Sequence, residues 1–236
     1  MLLKRVLEPE IMDSSDEAEA YDAMDHGEVN RRFVDDLLAA VSERVSRLPE
    51  RTAEGAGTTY LDFLDLGTGT AQIPVELVQR NPAFRCLAVD LAPSMLEFAR
   101  LNLEFAHVTD RVVLELVDAK RLPYESGRFP IVFSNSLVHH LPDPQPAIAE
   151  AARVTEPGGT LFFRDLLRPP DDAAVKRLVQ QYAGDETQQQ QQLLDDSLRA
   201  ALSLAEIREI VVGCGFAATT VRTSSDRHWT WIGIKS

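Results

Sequence analysis

The chain has 236 residues, of which 44% are hydrophobic and 26% are charged, a balance typical of a soluble globular protein. Its 12 glycines and 13 prolines exclude a collagen-like or low-complexity chain. The net charge of −13 argues against nucleic-acid binding, because an acidic surface repels phosphate backbones.

The hydrophobic pattern predicts one helix followed by alternating strands and helices. An amphipathic helix is predicted over residues 28–48, and a linker rich in small residues over 49–59. Strands are predicted at 60–66, 85–90, 112–117, 131–134 and 160–166, with helices at 73–80, 94–105 and 146–154. The prolines and glycines at 157–159 are expected to close the last of these helices. Such alternation predicts a parallel sheet with helices on both faces.

The alternation stops near residue 171. Helices are predicted over 171–183 and 185–202, the second opening with a capping box of Asp185 and Gln188. Its five consecutive glutamines, 188–192, are interpreted as a solvated helix face. A second capping box, Ser203 with Glu206, predicts a helix that continues to Cys214. Strands over 216–223 and 229–235 are expected to form a terminal hairpin.

Targeting and redox features favour a cytoplasmic protein. No apolar stretch is long enough for a transmembrane helix, so we expect no membrane contact. Lys4 and Arg5 interrupt the region where a secretory signal would be apolar. Cys86 and Cys214 lie in apolar surroundings and are expected to be reduced, and no close Cys/His spacing predicts a metal site.

An apolar strand runs into a glycine turn, Gly67-Thr68-Gly69, just before a predicted helix. Glycines there allow the backbone to approach a ligand closely, and the helix N-terminus offers free N–H groups. A nicotinamide dinucleotide motif needs a third glycine where this chain has Gln72, so that fingerprint fails.

Three further strand ends place polar residues at the same edge of the predicted sheet. Asp90 ends the second strand, where a carboxylate can accept hydrogen bonds from ribose hydroxyls. Asp118 and Ala119 follow the third strand, and Ser134 and Asn135 end the fourth. Open α/β sheets bind ligands at the carboxyl edge of their strands, so these residues predict a ligand site.

Four sequence blocks occur in order: Leu-Asp-Leu-Gly-Thr-Gly-Thr (64–70), Ala-Val-Asp-Leu-Ala-Pro-Ser-Met-Leu (88–96), Val-Asp-Ala-x-x-Leu-Pro (117–123), and Leu-Val-His-His-Leu-Pro-Asp-Pro (137–144), which runs on to Arg-Val-Thr-Glu-Pro-Gly-Gly (153–159). Together they resemble the class I S-adenosylmethionine-dependent methyltransferases, specifically the small-molecule group that includes the ubiquinone/menaquinone enzymes. The resemblance covers about residues 60–170. One departure is Ala71, where the family often has a third glycine.

The resemblance implies a single α/β domain over 1–236 with a Rossmann-like, mostly parallel sheet and an antiparallel last strand. It implies a helical N-terminal lid (1–48) and a cofactor-binding core (60–170), to which the residue pattern adds a helical cap (171–202) and a final helix with a terminal hairpin (203–236). Its implied cofactor is S-adenosyl-L-methionine. The implied contacts are Asp65, Gly67, Thr68 and Gly69 for the amino acid end, Asp90 for the ribose, Leu91 and Met95 for the adenosine, Asp118 and Ala119 for the adenine, and Ser134 and Asn135 for the methionyl and methyl groups.

Methyl transfer from a sulfonium needs little further activation, so the protein must mainly align the acceptor and exclude water. A base is needed only if the acceptor carries a proton at the attacking atom. His139 and His140 follow the fourth strand and are the candidates for that role. The alternative is that this pair belongs to the scaffold of the helix start.

Two regions are candidates for acceptor binding. The first is the N-terminal segment, where residues 6–30 include nine acidic residues. Tyr21 and His26 lie within this stretch, and Arg31 follows it. Its alternative is a packing helix with a solvated acidic lead.

The second region is the turn at 225–231, which gathers Arg227, His228 and Trp229. The resemblance implies that this turn joins a parallel sixth strand to an antiparallel seventh, and therefore lies on the cofactor's side of the sheet. The alternative is a salt-bridged hairpin tip with its tryptophans packed on the sheet.

These features predict a methyltransferase that acts on a small-molecule acceptor by in-line displacement. A non-catalytic cofactor-binding subunit or sensor, and a protein methyltransferase, are the alternatives. Methylation of RNA is disfavoured by the charge and by the absence of an Asn-Pro-Pro-Tyr-like tetrad after the fourth strand.

Overall fold

The computed structural model of the protein describes residues 3–10, 13–22, 27–48 and 60–236. Its strands are β1 Leu61–Leu66, β2 Phe84–Asp90, β3 Val112–Leu116, β4 Phe129–Asn135, β5 Thr155–Leu166, β6 Val221–Thr223 and β7 His228–Ile234. They form one sheet in the order β3-β2-β1-β4-β5-β7-β6. Strands β1 to β5 pair in parallel, and β7 pairs antiparallel with both β5 and β6. The predicted fold class is therefore confirmed.

Apolar helix faces cover both sides of this sheet. The helices are α1 Ser15–Asp22, α2 Gly27–Ala40, α3 Ser42–Val45, α4 Gln72–Arg80, α5 Pro93–Phe105, α6 Gln145–Val154, α7 Asp172–Ala183, α8 Gln188–Ala200 and α9 Leu204–Gly213, with short 3-10 turns at Val138–His140 and Ala218–Thr220. Helices α2, α4 and α5 pack on one face, and α6 and α9 on the other. Among the described residues, none of the helices has the length and apolarity needed to cross a bilayer.

Several predicted boundaries were wrong, each for a local reason. The helix predicted over 28–48 ends at Ala40, and a separate short helix follows. Strand β5 begins at Thr155, so residues 157–159 lie inside the strand, where Gly158 has φ +73° and the pairing with β4 shifts register. The predicted linker over 49–59 lies outside the described residues.

The cap and the hairpin also differ from their predictions. Helix α8 begins at Gln188, and its capping box is formed by Thr187 and Gln190, whose side chains bond each other's backbone N–H. Asp185 therefore does not cap this helix. The predicted box of Ser203 and Glu206 is confirmed. Strand β6 is shorter than predicted, because a 3-10 turn occupies the residues just before it.

Residues 3–10, here called the N-terminal strap, cross from the end of β5 toward β3. The Leu3 N–H donates to the Pro170 carbonyl at 3.1 Å, and the Val6 N–H donates to the Arg199 carbonyl at 3.1 Å. Helix α1 then packs on the start of α5, where Ala18 is fully buried. The strap and α1 thus lie over the carboxyl edge of the parallel strands.

Candidate functional site

The glycine turn follows β1 at the point where the strand order reverses between β1 and β4. Gly67 has φ +71° and Gly69 has φ +55°, values that glycine adopts without steric cost. The N–H groups of Gly67 and Thr68 donate to the Val89 carbonyl at 2.9 and 3.0 Å. A β-carbon on Gly67 would lie 2.8 Å from Leu137 Cδ1. Close packing and backbone conformation therefore both require glycine here.

Asp90 joins the glycine turn to the start of α5. Its Oδ2 accepts a hydrogen bond from the Gly69 N–H at 2.8 Å, and its Oδ1 accepts one from the Ala92 N–H at 2.9 Å. Burial raises the pKa of this carboxyl group although these backbone donors oppose the shift. The carboxylate is thus held rigidly at the carboxyl edge of the sheet.

Asp65 lies beneath the turn, near the end of β1. Only 2% of its surface is exposed, and burial, reinforced by the charge of Asp90, raises its pKa to about 8. The phenol of Tyr21 faces the same charges, and burial raises its pKa to about 12. The cleft at this point is lined by Tyr21, Asn30, Asp65, Gly67, Thr68, Thr70, Gln72, Ile73 and Asn135.

Gln72 fills the position where a dinucleotide motif would have its third glycine. Its Nε2 donates to Asp22 Oδ1 at 3.0 Å, and its Oε1 accepts from Asn30 at 3.1 Å. Asn102 donates both to Asp22, at 2.8 Å, and to the Thr70 carbonyl, at 3.0 Å. The side chain that breaks the dinucleotide fingerprint therefore fastens the N-terminal helices to the glycine turn.

The residues predicted to contact the adenosine follow β2 and β3, at the carboxyl edge of the sheet. Met95 and Ala119 are buried, whereas Leu91 and Asp118 are half-buried. Asp118 accepts from the Lys120 backbone N–H at 2.8 Å and lies 3.0 Å from its ammonium group. The same ammonium group pairs with Glu10 of the strap.

The two predicted residues at the end of β4 differ in their surroundings. The Ser134 hydroxyl donates to the Leu66 carbonyl at 2.8 Å, and the residue is 1% exposed. Its side chain therefore ties β4 to β1 inside the sheet. Asn135, in contrast, lines the cleft together with Asp65.

His139 and His140 lie in the 3-10 turn after β4, where two carboxylates meet them. The Nδ1 of His139 is 2.6 Å from Asp165 Oδ1, and its Nε2 is 3.5 Å from Glu8 Oε1. The same Glu8 oxygen is 2.9 Å from His140 Nδ1. We call Glu8, His139, His140 and Asp165 the histidine cluster.

Charge in the histidine cluster shifts its pKa values. Burial alone would lower the pKa of His139, but the Asp165 carboxylate raises it overall. Burial alone would raise the pKa of Asp165 and of Glu8, yet the imidazoles hold both below their usual values. Sequence reasoning missed both acids. Asp165 is a carboxylate within an apolar strand, which is a usable signal, whereas Glu8 was one acid among many in 6–30.

The hairpin tip between β6 and β7 contacts α7. The guanidinium of Arg227 stacks on Tyr182, with its Cζ 3.3 Å from the ring centroid, and the Tyr182 hydroxyl donates to Asp226 at 2.8 Å. His228 Nδ1 lies 2.8 Å from the Ser225 hydroxyl, and burial, together with the charge of Arg227, lowers the pKa of His228 to about 4.

The Trp229 side chain does not lie with these groups at the hairpin tip, which is a correction to the predicted acceptor set. Trp229 and Trp231 are both 0% exposed and belong to the main apolar core. Strand β7 lies between β5 and β6, so both of its edges are hydrogen-bonded, and the two tryptophans pack on the sheet face that α6 and α9 cover. Of the other predicted acceptor residues, Arg31 is exposed on α2, and His26 lies outside the described residues.

The central part of the chain matches a known family model. A family model described as a methyltransferase domain, Methyltransf_11, matches residues 64–163. The 27-O-demethylrifamycin SV methyltransferase of Amycolatopsis mediterranei is 33% identical over 142 residues, which are 60% of this chain and 52% of that protein. A demethylmenaquinone methyltransferase of Thermus thermophilus is 36% identical over 111 residues, 47% of this chain and 50% of that protein.

The chain spans about half the length of the curated relatives that it matches. A solved structure of an SAM-dependent methyltransferase from Aquifex aeolicus has the same fold, with a TM-score of 0.60 and 13% identity over 94% of this chain and 99% of that one. Residues 64–163 thus match a methyltransferase domain, and the sheet has the fold of an S-adenosylmethionine-dependent methyltransferase, in agreement with the class that the four sequence blocks resemble.

Proposed function

We propose that the protein is a methyltransferase that uses S-adenosyl-L-methionine to methylate a small-molecule acceptor by in-line displacement. The observation that carries the proposal is the Asp90 carboxylate, which Gly69 and Ala92 fix at the end of β2, beside the glycine turn that follows β1. When bound, the cofactor supplies a methyl group that its sulfonium already activates. The chain then has to bind the cofactor, align the acceptor and exclude water.

The amino acid end of the cofactor is assigned to the glycine turn. Asp65 is a buried carboxyl group at the cleft, which suits an ammonium partner because a buried charge needs a counter-charge. Gly67 and Gly69 let the backbone approach closely, and Thr68 lies between them in the cleft wall. Asn135 also lines the cleft, and its amide is assigned to the methionyl group.

The adenosine end is assigned to the neighbouring strand ends. Asp90 is placed to accept from the ribose hydroxyls, as carboxylates at the end of a second parallel strand do. Leu91 and Met95 provide apolar surface for the adenosine. Asp118 and Ala119, which follow β3, are assigned to the adenine. The pair of Glu10 and Lys120 lies beside Asp118, so the strap reaches this end as well.

Water exclusion is assigned to residues 1–30 and 171–202 as covers of the sheet edge. Within the described parts, Arg5 of the strap donates to the carbonyls of Ala200, at 2.6 Å, and Leu141, at 2.8 Å. One guanidinium thus joins the strap to the end of α8 and to the turn after β4. A closed site of this kind suits methyl transfer, which competing water would impair.

Acceptor binding is assigned to Arg227 and His228 at the hairpin tip, next to the end of β5. His228 pairs with Leu166 across the sheet, one residue beyond Asp165. Arg227 is half-buried against Tyr182 and could pair with an anionic acceptor. Arg227→Ala is expected to leave cofactor affinity unchanged and to lower turnover.

We assign no proton transfer to His139 in this arrangement. A general base needs a ring nitrogen that is free to take a proton. Both nitrogens of His139 already face carboxylate oxygens, at 2.6 and 3.5 Å. Alignment and closure, without a base at His139, therefore account for the proposed reaction.

The proposal is tested in two steps. Titration calorimetry should show binding of S-adenosylhomocysteine but not of NAD, because Gln72 occupies the place of the third glycine. An assay for S-adenosylhomocysteine release across pools of small molecules should then show turnover. Binding without turnover on any small-molecule or protein pool would favour a cofactor-binding subunit or sensor, and no binding would refute the proposal.

A further inference from the structure

The histidine cluster has the geometry of a metal site. Glu8 Oε1 lies 2.9 Å from His140 Nδ1 and 3.5 Å from His139 Nε2, and one ligand atom from each residue lies within 4.8 Å of the others. Tetrahedral zinc with nitrogen and oxygen ligands places its ligand atoms about 3.3–3.5 Å apart. The separation of Glu8 Oε1 and His139 Nε2 matches that spacing, and the separation of Glu8 Oε1 and His140 Nδ1 is slightly shorter.

Asp165 completes the arrangement behind the ligands. It binds the Nδ1 of His139 at 2.6 Å, which leaves Nε2 directed at Glu8. Its own position is fixed by the N–H groups of Val138, at 2.5 Å, and Leu166, at 2.6 Å. Metal-binding histidines characteristically donate their second ring nitrogen to such a carboxylate, which orients the ring and raises its basicity.

Charge in the histidine cluster also suits a divalent cation. Glu8 and Asp165 are two carboxylates beside imidazoles that are largely buried, and the Arg5 guanidinium lies next to them. The Arg5 guanidinium is directed to backbone carbonyls, including that of His139 at 3.1 Å. With both imidazoles neutral, as metal binding requires, two carboxylates against one guanidinium leave one negative charge that a divalent ion would offset.

We propose that Glu8, His139 and His140 bind one zinc ion, or another borderline divalent cation that prefers imidazole and carboxylate ligands. With three protein ligands, a fourth coordination position stays open to water or another small ligand. Because Glu8 belongs to the N-terminal strap and the histidines to the turn after β4, the metal would fasten the strap over the sheet edge. No spacing motif signals such a site, since one ligand comes from the far N-terminal end of the chain.

The test measures metal directly, on the full chain without a histidine tag and after treatment with a chelator. We expect one equivalent of Zn²⁺ in calorimetry, and visible absorption from one equivalent of Co²⁺ as a spectroscopic substitute. Glu8→Gln and His140→Ala should each weaken Zn²⁺ binding more than tenfold, and Asp165→Asn should weaken it about 10–100-fold.

Matched controls separate the site from general metal affinity. Glu10→Gln changes a neighbouring acid of the strap, and His107→Ala removes an exposed histidine, so both should keep full Zn²⁺ affinity. Bound Zn²⁺ should also slow amide exchange in the strap of the wild type but not of Glu8→Gln. No stoichiometric Zn²⁺ binding, or binding that survives both Glu8→Gln and His140→Ala, would refute the site and leave an ion-pair cluster.

Discussion

The backbone N–H of Gly69 donates a 2.8 Å hydrogen bond to the carboxylate of Asp90, a residue 21 positions later in the chain. This one contact joins the turn after β1 to the end of β2, so two strand ends that carry proposed cofactor contacts are positioned together. A second bond, from the Ala92 N–H at 2.9 Å, extends the connection to α5. Changes at Asp90 should therefore affect both ligand binding and the local backbone.

Replacing Asp90 with alanine should weaken S-adenosylhomocysteine binding by about 1.5–3 kcal/mol, the range for a hydrogen bond to a charged group. Titration calorimetry measures the loss of affinity. Thermal unfolding reports how much stability is lost when the Gly69 and Ala92 N–H groups lose their acceptor. Asp110→Ala is the matched control, because that side chain is 79% exposed. Equal affinities for wild type and Asp90→Ala would contradict the assignment of the ribose site.

Cofactor binding should release a proton from Asp65. Its pKa of about 8 means that the carboxyl group is largely protonated at neutral pH, and a bound ammonium group favours the charged form. Affinity should therefore rise from about pH 6 to about pH 8, and the binding heat should depend on the ionisation enthalpy of the buffer. Calorimetry in two buffers checks this, and Asp65→Asn should abolish the buffer dependence.

The same group affects the stability of the ligand-free protein. Because the pKa of Asp65 is raised from 3.8 to about 8, the folded state keeps a proton that the unfolded state has released. The free energy of unfolding should fall as pH rises across this range. Denaturant titrations should show a smaller fall for Asp65→Asn, and an identical slope in both proteins would contradict the shift.

Gly67→Ala should be more destabilising than Gly215→Ala. Both glycines have positive φ, +71° and +89°, for which a left-handed backbone costs about 1–2 kcal/mol with any β-carbon. Nothing lies within 4 Å of a β-carbon at Gly215, whereas one at Gly67 would lie 2.8 Å from Leu137. Chemical denaturation of both variants isolates the packing contribution. Equal losses would show that Leu137 moves away without cost.

The sequence predicted the parts of this site that sheet topology determines, and it missed the contacts between residues that are far apart in the chain. Asp65, Asp90 and Asn135 were predictable, because parallel strands bring their carboxyl ends to one edge whatever the loops do. The contact of Glu8 with His139 depends on the course of the strap across the sheet, which no local pattern encodes. The cap at Thr187 was missed because Asp185 offered an equally good local signal.

The strap and the helical cap should become protected from amide exchange when S-adenosylhomocysteine binds. Peptides within 3–10, 13–22 and 171–202 report this in hydrogen-exchange mass spectrometry, since the strap lies over the sheet edge and is hydrogen-bonded to the cap at Arg199 and Ala200. Arg5→Ala should speed exchange in the strap, because it removes hydrogen bonds to Ala200 and Leu141. Arg32→Ala, which changes an exposed arginine of α2, is the control. Unchanged exchange in both segments on ligand addition would identify them as fixed packing elements.

Trp229→Ala should act on stability, although its neighbour Arg227 is assigned to the acceptor. The indole is 0% exposed in the core, so its removal should cost about 3–5 kcal/mol of unfolding free energy. Trp229→Phe should cost less because it keeps an aromatic ring, and Phe105→Ala, at a position 81% exposed, should cost little. Denaturant unfolding measures all three. If Trp229→Ala unfolded like wild type but lost turnover on an identified acceptor, the indole would belong to the acceptor site after all.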